Sequence, residues 1–239
     1  METYLSVIIP AYNEAQRIIP TLEDIDKYLA KKDYSWEVLI VNDGSTDETA
    51  KIVGNFCKKH SNFKLIDNKI NQGKGAVVKQ GMLQAQGEWR LFMDADNSTP
   101  IAEIENFWPY IKDYDIMIGS RYVQSGLIKE KQPLIRRIIS RGGNFLVQLL
   151  ILPGIADTQC GFKLFSAKSV DVVFPKQRSM RWSFDMEILA IAQKLGFKIK
   201  EVPVVWRNAA LSKLRAIRTA SRSLKDLIVI KWNLITKKY

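Results

Sequence analysis

A single histidine, His60, serves the whole chain of 239 residues. That scarcity excludes a histidine-rich metal site and any Ser-His-Asp triad that does not use this one side chain. His60 sits in the polar stretch Lys58-Lys59-His60-Ser61-Asn62, which reads as surface loop rather than catalytic centre. Cysteine is nearly as rare: Cys57 and Cys160 make no disulfide framework and point to a reducing compartment. Long apolar runs are missing too. The most apolar stretches, Phe145 to Leu152 and Leu227 to Ile235, fall well short of the ~20 residues a spanning helix needs. The chain opens directly into strand-like sequence with no recognisable signal peptide, so a soluble or peripheral protein is expected. Acids are outnumbered, 25 against 36 Lys and Arg, for a formal charge of +11. Such an excess calls for an anionic partner: nucleic acid, a phosphorylated small molecule or an anionic membrane surface. Neither GxxxxGK[ST] nor a GxGxxG after the first strand is present, so two common phosphate-binding fingerprints are absent.

What is there is a strand-then-helix alternation. Leu5 to Pro10 reads as a buried strand, and Ile18, Leu22, Ile25 and Leu29 follow at helical spacing. Glu37 to Val41 is a second strand, with Ser45 or Thr46 placed to cap a helix carrying Ala50, Val53 and Phe56. Phe63 to Ile66 makes a short third, and Asn71-Gln72-Gly73-Lys74-Gly75 opens a helix. Trp89 to Met93 is the fourth; a helix entered at Pro100 and a strand leading to Arg121 come next. The pattern predicts an α/β fold with a mostly parallel sheet and helices on both faces. Its composition, 46% hydrophobic and 26% charged, suits one domain over residues 1–239. From Leu127 to Ile155 the chain is apolar and basic together, and the tail from Leu211 repeats that character. Such a helix lies in a membrane interface or packs on the domain; periodicity does not choose.

Polar loops follow the strands at Tyr12, Asp43, Asp96 and Arg121, so they should gather at the sheet edge where such folds bind ligands. The fourth strand ends in Asp94-Ala95-Asp96. Two carboxylates that close repel unless a cation or proton lies between them, and oxygen ligands suit Mg2+ or Mn2+ rather than zinc. A solvated turn with two acids is the plain alternative. Asp43, a lone acid after a strand, suits a ribose or base edge. Gly73-Lys74-Gly75 can bring backbone N–H groups and an ammonium to a phosphate, although a turn before a helix reads the same way.

Taken together, Pro10-Ala11-Tyr12-Asn13-Glu14, Asn42-Asp43-Gly44-Ser45, Gly73-Lys74-Gly75, Asp94-Ala95-Asp96 and Gly119-Ser120-Arg121 resemble the family-2 inverting glycosyltransferases, and within them the polyprenyl-phosphate (dolichyl-phosphate) hexosyltransferases. Arg136 to Phe145 is similar to the acceptor-side segment of dolichyl-phosphate mannose synthases. Asp157 to Phe165 and Arg181-Trp182-Ser183-Phe184-Asp185 resemble the dolichyl-phosphate glucosyltransferase branch. The resemblance implies a GT-A type fold, with residues 1–125 binding a nucleotide sugar (UDP-glucose or GDP-mannose) and 126–239 the lipid acceptor and membrane interface. It implies that Pro10, Ala11, Tyr12, Asn13, Glu14, Asp43, Gly44, Ser45 and Lys74 hold the donor. Asp94, Ala95 and Asp96 would face its diphosphate, the two acids ligating Mg2+ or Mn2+. Arg121, Arg136 and Ser140 would grip the polyprenyl phosphate, and Arg207 and Lys213 belong to a loop closing over the donor. Asp157 is placed with the catalytic group, orienting a sugar hydroxyl or an arginine. The location implied is cytoplasmic, peripheral on the cytoplasmic face of an anionic membrane.

Three positions depart from the family pattern: Ser98 stands where a third metal ligand is often Gln, the stretch Arg207 to Lys213 lacks the usual glycine before Ser-Lys, and no transmembrane anchor is visible. An acceptor that is already a phosphate anion needs no general base, so positioning and charge neutralisation are the expected catalysis. A sugar acceptor would want such a base, and residues 121 to 141 offer arginines instead. Nucleic acid is not expected, because the bare carboxylates of the Asp-x-Asp pair would repel its phosphates.

Overall fold

The structure, a computed structural model, describes residues 2–121, 146–207, 216–236 and 238–239, and for 216–224 the backbone alone. Strands β1 (Leu5–Ala11), β2 (Trp36–Asp43), β3 (Phe63–Asn68) and β4 (Trp89–Met93) alternate with helices α1 (Ile18–Leu29), α2 (Thr49–Cys57) and α3 (Lys74–Gln84). β5 (Ile116–Ser120), β6 (Phe162–Ser166), α4 (Ala167–Val173), α5 (Phe184–Lys194), β7 (Ile199–Pro203) and α6 (Ala216–Ile235) follow. The sheet order is β3-β2-β1-β4-β6-β5-β7. β1 to β4 run parallel, β6 lies antiparallel between β4 and β5, and β7 is parallel to β5. The expected mostly parallel sheet with helices on both faces is thus present. Every residue of β4 and β5 is buried, as strands covered on both faces require, which explains their mostly apolar sequence; Arg90 is tolerated in β4 because it bonds Gly87 O, Met82 O and Asp171. One core packs α3, α5 and α6 on one face, and a second packs α1, α2 and the turns after Pro100 on the other.

The helix entered at Pro100 is present and takes 3-10 form, Ile101–Asn106 and then Trp108–Tyr110. Pro109 lacks the N–H that an α-helical ladder needs there. Neither Ser45 nor Thr46 caps α2. The left-handed Gly44 (φ 64°) turns the chain aside, and the helix starts at Thr49, whose N–H donates to Asp47 Oδ1 at 3.0 Å. Of the stretch Leu127 to Ile155, only its end from residue 146 is described: Val147, Ile151, Leu152 and Ile155 are buried in the core while Leu149 stays exposed. Leu211 and Leu214 of the tail lie outside the described residues. His60 stacks on Phe56 at 4.0 Å between ring centroids and faces Asp26, a surface position away from the sheet rim.

α3 sits on the sheet through a glycine. A Cβ at Gly81 would lie 2.5 Å from Ile8 Cγ2 and 2.9 Å from Val41 Cγ2, so the helix approaches β1 and β2 only because that side chain is missing. Overpacking of this kind costs about 1–3 kcal/mol. Gly81→Ala should therefore lower stability by about that much in urea unfolding, despite alanine's better helix propensity, with the shift read from the transition midpoint.

Candidate active site

At the carboxyl ends of β1, β2 and β4 lies a cavity of about 460 Å³ lined by Pro10, Ala11, Tyr12, Glu14, Arg17, Asp43, Asn71, Gly73, Lys74, Val77, Asp94, Ala95, Asp96, Arg181 and Trp182. Parallel strands end together at this edge, so the polar residues just past each strand converge without long loops. Asn13, held left-handed at φ 55°, accepts from Thr46 N at 2.9 Å through Oδ1 and donates its own N–H to Ser45 Oγ at 3.0 Å. Asn13, Gly44 and Ser45 therefore brace the loops behind the cavity and do not line it. Glu14 lines it, paired with Arg17 through two hydrogen bonds, one of them 2.7 Å from Nη2 to Oε1. That hydrogen-bonded partner raises the Arg17 pKa.

Asp43 closes the next wall. Its Oδ1 accepts from Gln72 N at 2.7 Å, and its Oδ2 from Gly73 N at 3.0 Å and Asn71 Nδ2 at 2.9 Å. Burial pushes the Asp43 carboxyl above its usual range, against the pull of those N–H groups. Gly73 has φ 102°, and a Cβ there would lie 2.5 Å from Met180 O, so only glycine can turn the chain into α3 at this point. The turn presents Lys74, whose Nζ lies 2.6 Å from Asp94 Oδ1 and 5.1 Å from the Trp182 ring centroid. Burial works against the Lys74 charge, yet Asp94 first and Asp185 next hold its pKa above the ordinary value.

Asp94 donates its N–H to Gly161 O at 3.0 Å, and a Cβ at Gly161 would sit 2.0 Å from Asp94 Oδ2. The Asp94 carboxylate thus occupies space only glycine leaves free. Asp96 Oδ1 accepts from Ser98 N at 3.0 Å, Ala95 O from Thr21 Oγ1 at 2.8 Å, and Ser98 O from Arg207 N at 2.8 Å. Arg207 itself does not line the cavity.

The two acids fit a hard divalent cation. Among the described residues no cluster of three or more His, Cys, Asp or Glu forms an all-protein cage. A Mg2+-like ion is held instead by one or two carboxylates with substrate phosphates completing its shell, and Asp94 with Asp96 is such a pair at the mouth of a cavity that could supply the rest.

Arg121 and Asp157 pair with each other beyond the cavity wall. Arg121 Nε and Nη2 reach Asp157 Oδ2 and Oδ1 at 2.7 and 2.9 Å, and the Arg121 N–H adds a third bond at 3.0 Å. Asp157 is 0% exposed, so it orients the arginine and has no open face toward a sugar. Burial alone would raise its carboxyl; the Arg121 charge and hydrogen bonds overcome that and hold it below the ordinary range. Arg136, Ser140 and Lys213 lie outside the described residues. Arg17, Asn71 and Val77 were not anticipated as lining residues, although the Glu14–Arg17 spacing was a visible signal. Arg181 and Trp182 entered only as part of a resembling motif.

In its mostly parallel sheet with helices on both faces, the chain is similar to solved GT-A type glycosyltransferases. Residues 6–174 match the profile of Glycosyl transferase family 2, and the chain belongs to that family. It is 41% identical to the dolichyl-phosphate beta-glucosyltransferase of Dictyostelium discoideum, over 96% of this chain and 74% of that protein. It is 39% identical to a dolichyl-phosphate beta-glucosyltransferase of Trichomonas vaginalis, over 90% of this chain and 67% of the relative. Among solved structures, glucosyl-3-phosphoglycerate synthase from Mycobacterium tuberculosis in complex with Mn2+, uridine diphosphate and phosphoglyceric acid superposes with a TM-score of 0.69 at 16% identity, covering 96% and 78% of the two chains. At that identity the likeness speaks for the fold alone.

Removing one partner of a buried ion pair leaves the other uncompensated, a loss of about 3–5 kcal/mol. Arg121→Met should lower stability by about that much at neutral pH. A depressed carboxyl contributes stability above its unfolded pKa and loses it as pH falls through the folded one. In wild type the Asp157 contribution should therefore persist down to the ordinary carboxylate range and be lost below it, whereas in Arg121→Met acid unfolding begins at higher pH. Thermal melts across a pH series read both effects.

Proposed function

We propose that this chain transfers glucose from a nucleoside diphosphate sugar, UDP-glucose in the first instance, to a dolichyl-type polyprenyl phosphate with inversion at the anomeric carbon. The observation that carries this reading is the rim cavity itself: Asp94 and Asp96 stand beside Lys74, Arg17 and Arg181, acids for a cation and cations for a diphosphate in one enclosure. The names of the relatives supply the sugar and the lipid. Pro10, Ala11, Tyr12, Glu14 and the Asp43-braced turn form the nucleoside end; Lys74 and Arg181 face the diphosphate. Mg2+ or Mn2+ held by Asp94 and Asp96 would add charge neutralisation at the leaving nucleoside diphosphate.

The acceptor phosphate is already an anion, so no side chain has to remove a proton before it attacks. The task left to the protein is to hold two anions in line, which costs electrostatic repulsion unless cations are fixed nearby. Arg121, locked in place by Asp157, would serve the lipid phosphate from outside the cavity, with Arg136 and Ser140 as its partners. A single in-line displacement on an α-linked donor gives a β-linked product.

The lipid fixes where the reaction takes place. Among the described residues no helix is long and apolar enough to cross a membrane. α6 buries Leu227 and Ile230 but exposes Ile228, Val229, Trp232 and Ile235, with Lys225 and Lys231 beside them. Leu149 is likewise 67% exposed. A contiguous apolar face of this sort, flanked by lysines, suits the interface of an anionic membrane, and we place the enzyme peripherally on the cytoplasmic leaflet.

Asp96→Ala should abolish transfer from UDP-glucose to a short prenyl phosphate with the circular dichroism spectrum unchanged; turnover near the wild-type level refutes the metal role. In the same assay a panel of UDP- and GDP-sugars tests the donor, and transfer from GDP-mannose alone would replace glucose by mannose. Trp232→Glu should weaken sedimentation with anionic vesicles by about tenfold while leaving the protein folded, and unchanged binding would remove α6 from the interface.

A further inference from the structure

Beneath the cavity lies a second pair of opposite charges that the reaction as described does not use. Lys163 stands on β6 in register with Phe92 of β4, 0% exposed, and Asp185 opens α5 at 5% exposed. Lys163 Nζ bonds the Asp185 carboxylate and donates to Cys160 O at 2.6 Å. Both ammonium groups approach the Phe92 ring, Lys74 Nζ at 5.2 Å and Lys163 Nζ at 5.6 Å from its centroid. α5 and α3 meet closely here, since a Cβ at Gly75 would lie 2.8 Å from Phe184 Cβ, and the charges of Lys74 and Asp185 act on each other. Asp94, Lys74, Asp185 and Lys163 thus form a cluster of two interacting ion pairs, one at the rim and one buried.

We propose that Asp185, neutralised from below by Lys163, is a positioning residue that takes Lys74 over when a diphosphate and its cation occupy Asp94. This deepens the function proposed above and rests on it. Lys74 Nζ holds Asp94 Oδ1 and Oδ2 packs against Gly161, so a cation that takes Oδ1 displaces the ammonium. Lys74 is shut in by Phe92 and Trp182, and an ammonium that leaves Asp94 to face the diphosphate needs another anion on the protein side to hold it. Asp185 is that other anion. Burial raises the Asp185 carboxyl above its ordinary value, with the Lys163 and Lys74 charges opposing that rise, and the direct bond from Lys163 Nζ supplies its counter-charge. A buried ion pair contributes little stability over an apolar pair of similar size, so the stability of the fold does not account for Lys163 and Asp185. The hand-over gives them a task.

The test uses the full chain and two measurements. The first is Mn2+ binding in the presence of UDP, followed by the electron paramagnetic resonance signal of free Mn2+. Asp185→Asn alone strands Lys163 and can unfold the protein, so the variant is the double substitution Lys163→Met with Asp185→Asn. It should bind Mn2+ with UDP about tenfold more weakly, raise the donor KM in proportion and leave the prenyl phosphate KM unchanged. Asp185→Glu, which keeps the charge, should restore most of the affinity. A double variant that melts like wild type and binds Mn2+ with UDP within about twofold of it overturns the inference. The second measurement needs no variant: a crystal structure of wild type with UDP and Mn2+ should show Lys74 Nζ withdrawn from Asp94 and within ion-pair distance of Asp185. Lys74 still on Asp94, or turned away from Asp185, also overturns it. Failure of wild type to bind UDP or Mn2+ at the rim removes the proposed function itself, and the inference falls with it; binding there with either contrary result removes the inference alone.

Discussion

Two carboxylates one residue apart, at the end of a fully buried strand, are an electrostatic problem before they are a binding site. Asp94 and Asp96 stand half-buried where the sheet gives way to a cavity, and two like charges that close repel each other. Lys74 answers the problem by pairing with Asp94 at 2.6 Å. Much of the surrounding architecture exists to bring that ammonium there. Gly73 adopts a conformation other residues cannot hold, Asp43 fastens the turn from behind, and Gly81 lets α3 settle low enough on β1 and β2 for its first residue to reach the rim.

The antiparallel strand β6 has a similar standing. It enters the sheet between β4 and β5, carrying a lysine in an otherwise apolar run, Phe162-Lys163-Leu164-Phe165. The loop before it supplies Gly161, which makes room for the Asp94 carboxylate, and Asp157, which fixes Arg121. One segment therefore shapes the acid pair on one side and orients a cation on the other. The cavity proposed for the donor and the arginine proposed for the acceptor are joined by a short stretch of backbone, which fixes their separation.

α6 links the apolar face proposed for the membrane to the same machinery. Asp226 accepts from Ser183 Oγ, next to Trp182 in the cavity wall. The Tyr239 hydroxyl donates to Glu187 Oε1 at 2.6 Å, and Glu187 Oε2 holds the N–H groups of Arg178 and Ser179 at 2.9 and 2.7 Å. The loop that carries Arg181 and Trp182 is thus moored to the helix that exposes Trp232.

The sequence by itself determined the strand-and-helix alternation, the edge at which polar residues would gather, and the Asp-x-Asp pair at its centre. Those features are local: apolar runs, turn residues and the period of side chains are written in consecutive positions. Contacts between distant segments were decided only by the tertiary structure. No spacing along the chain reveals that Gly161 must be small because Asp94 lies against it, that Asp157 is spent on Arg121, or that Lys163 and Asp185 neutralise each other below the rim. Each of these depends on an antiparallel strand inserted between two others, and on the dielectric of the interior it creates, where a charge persists only beside its opposite.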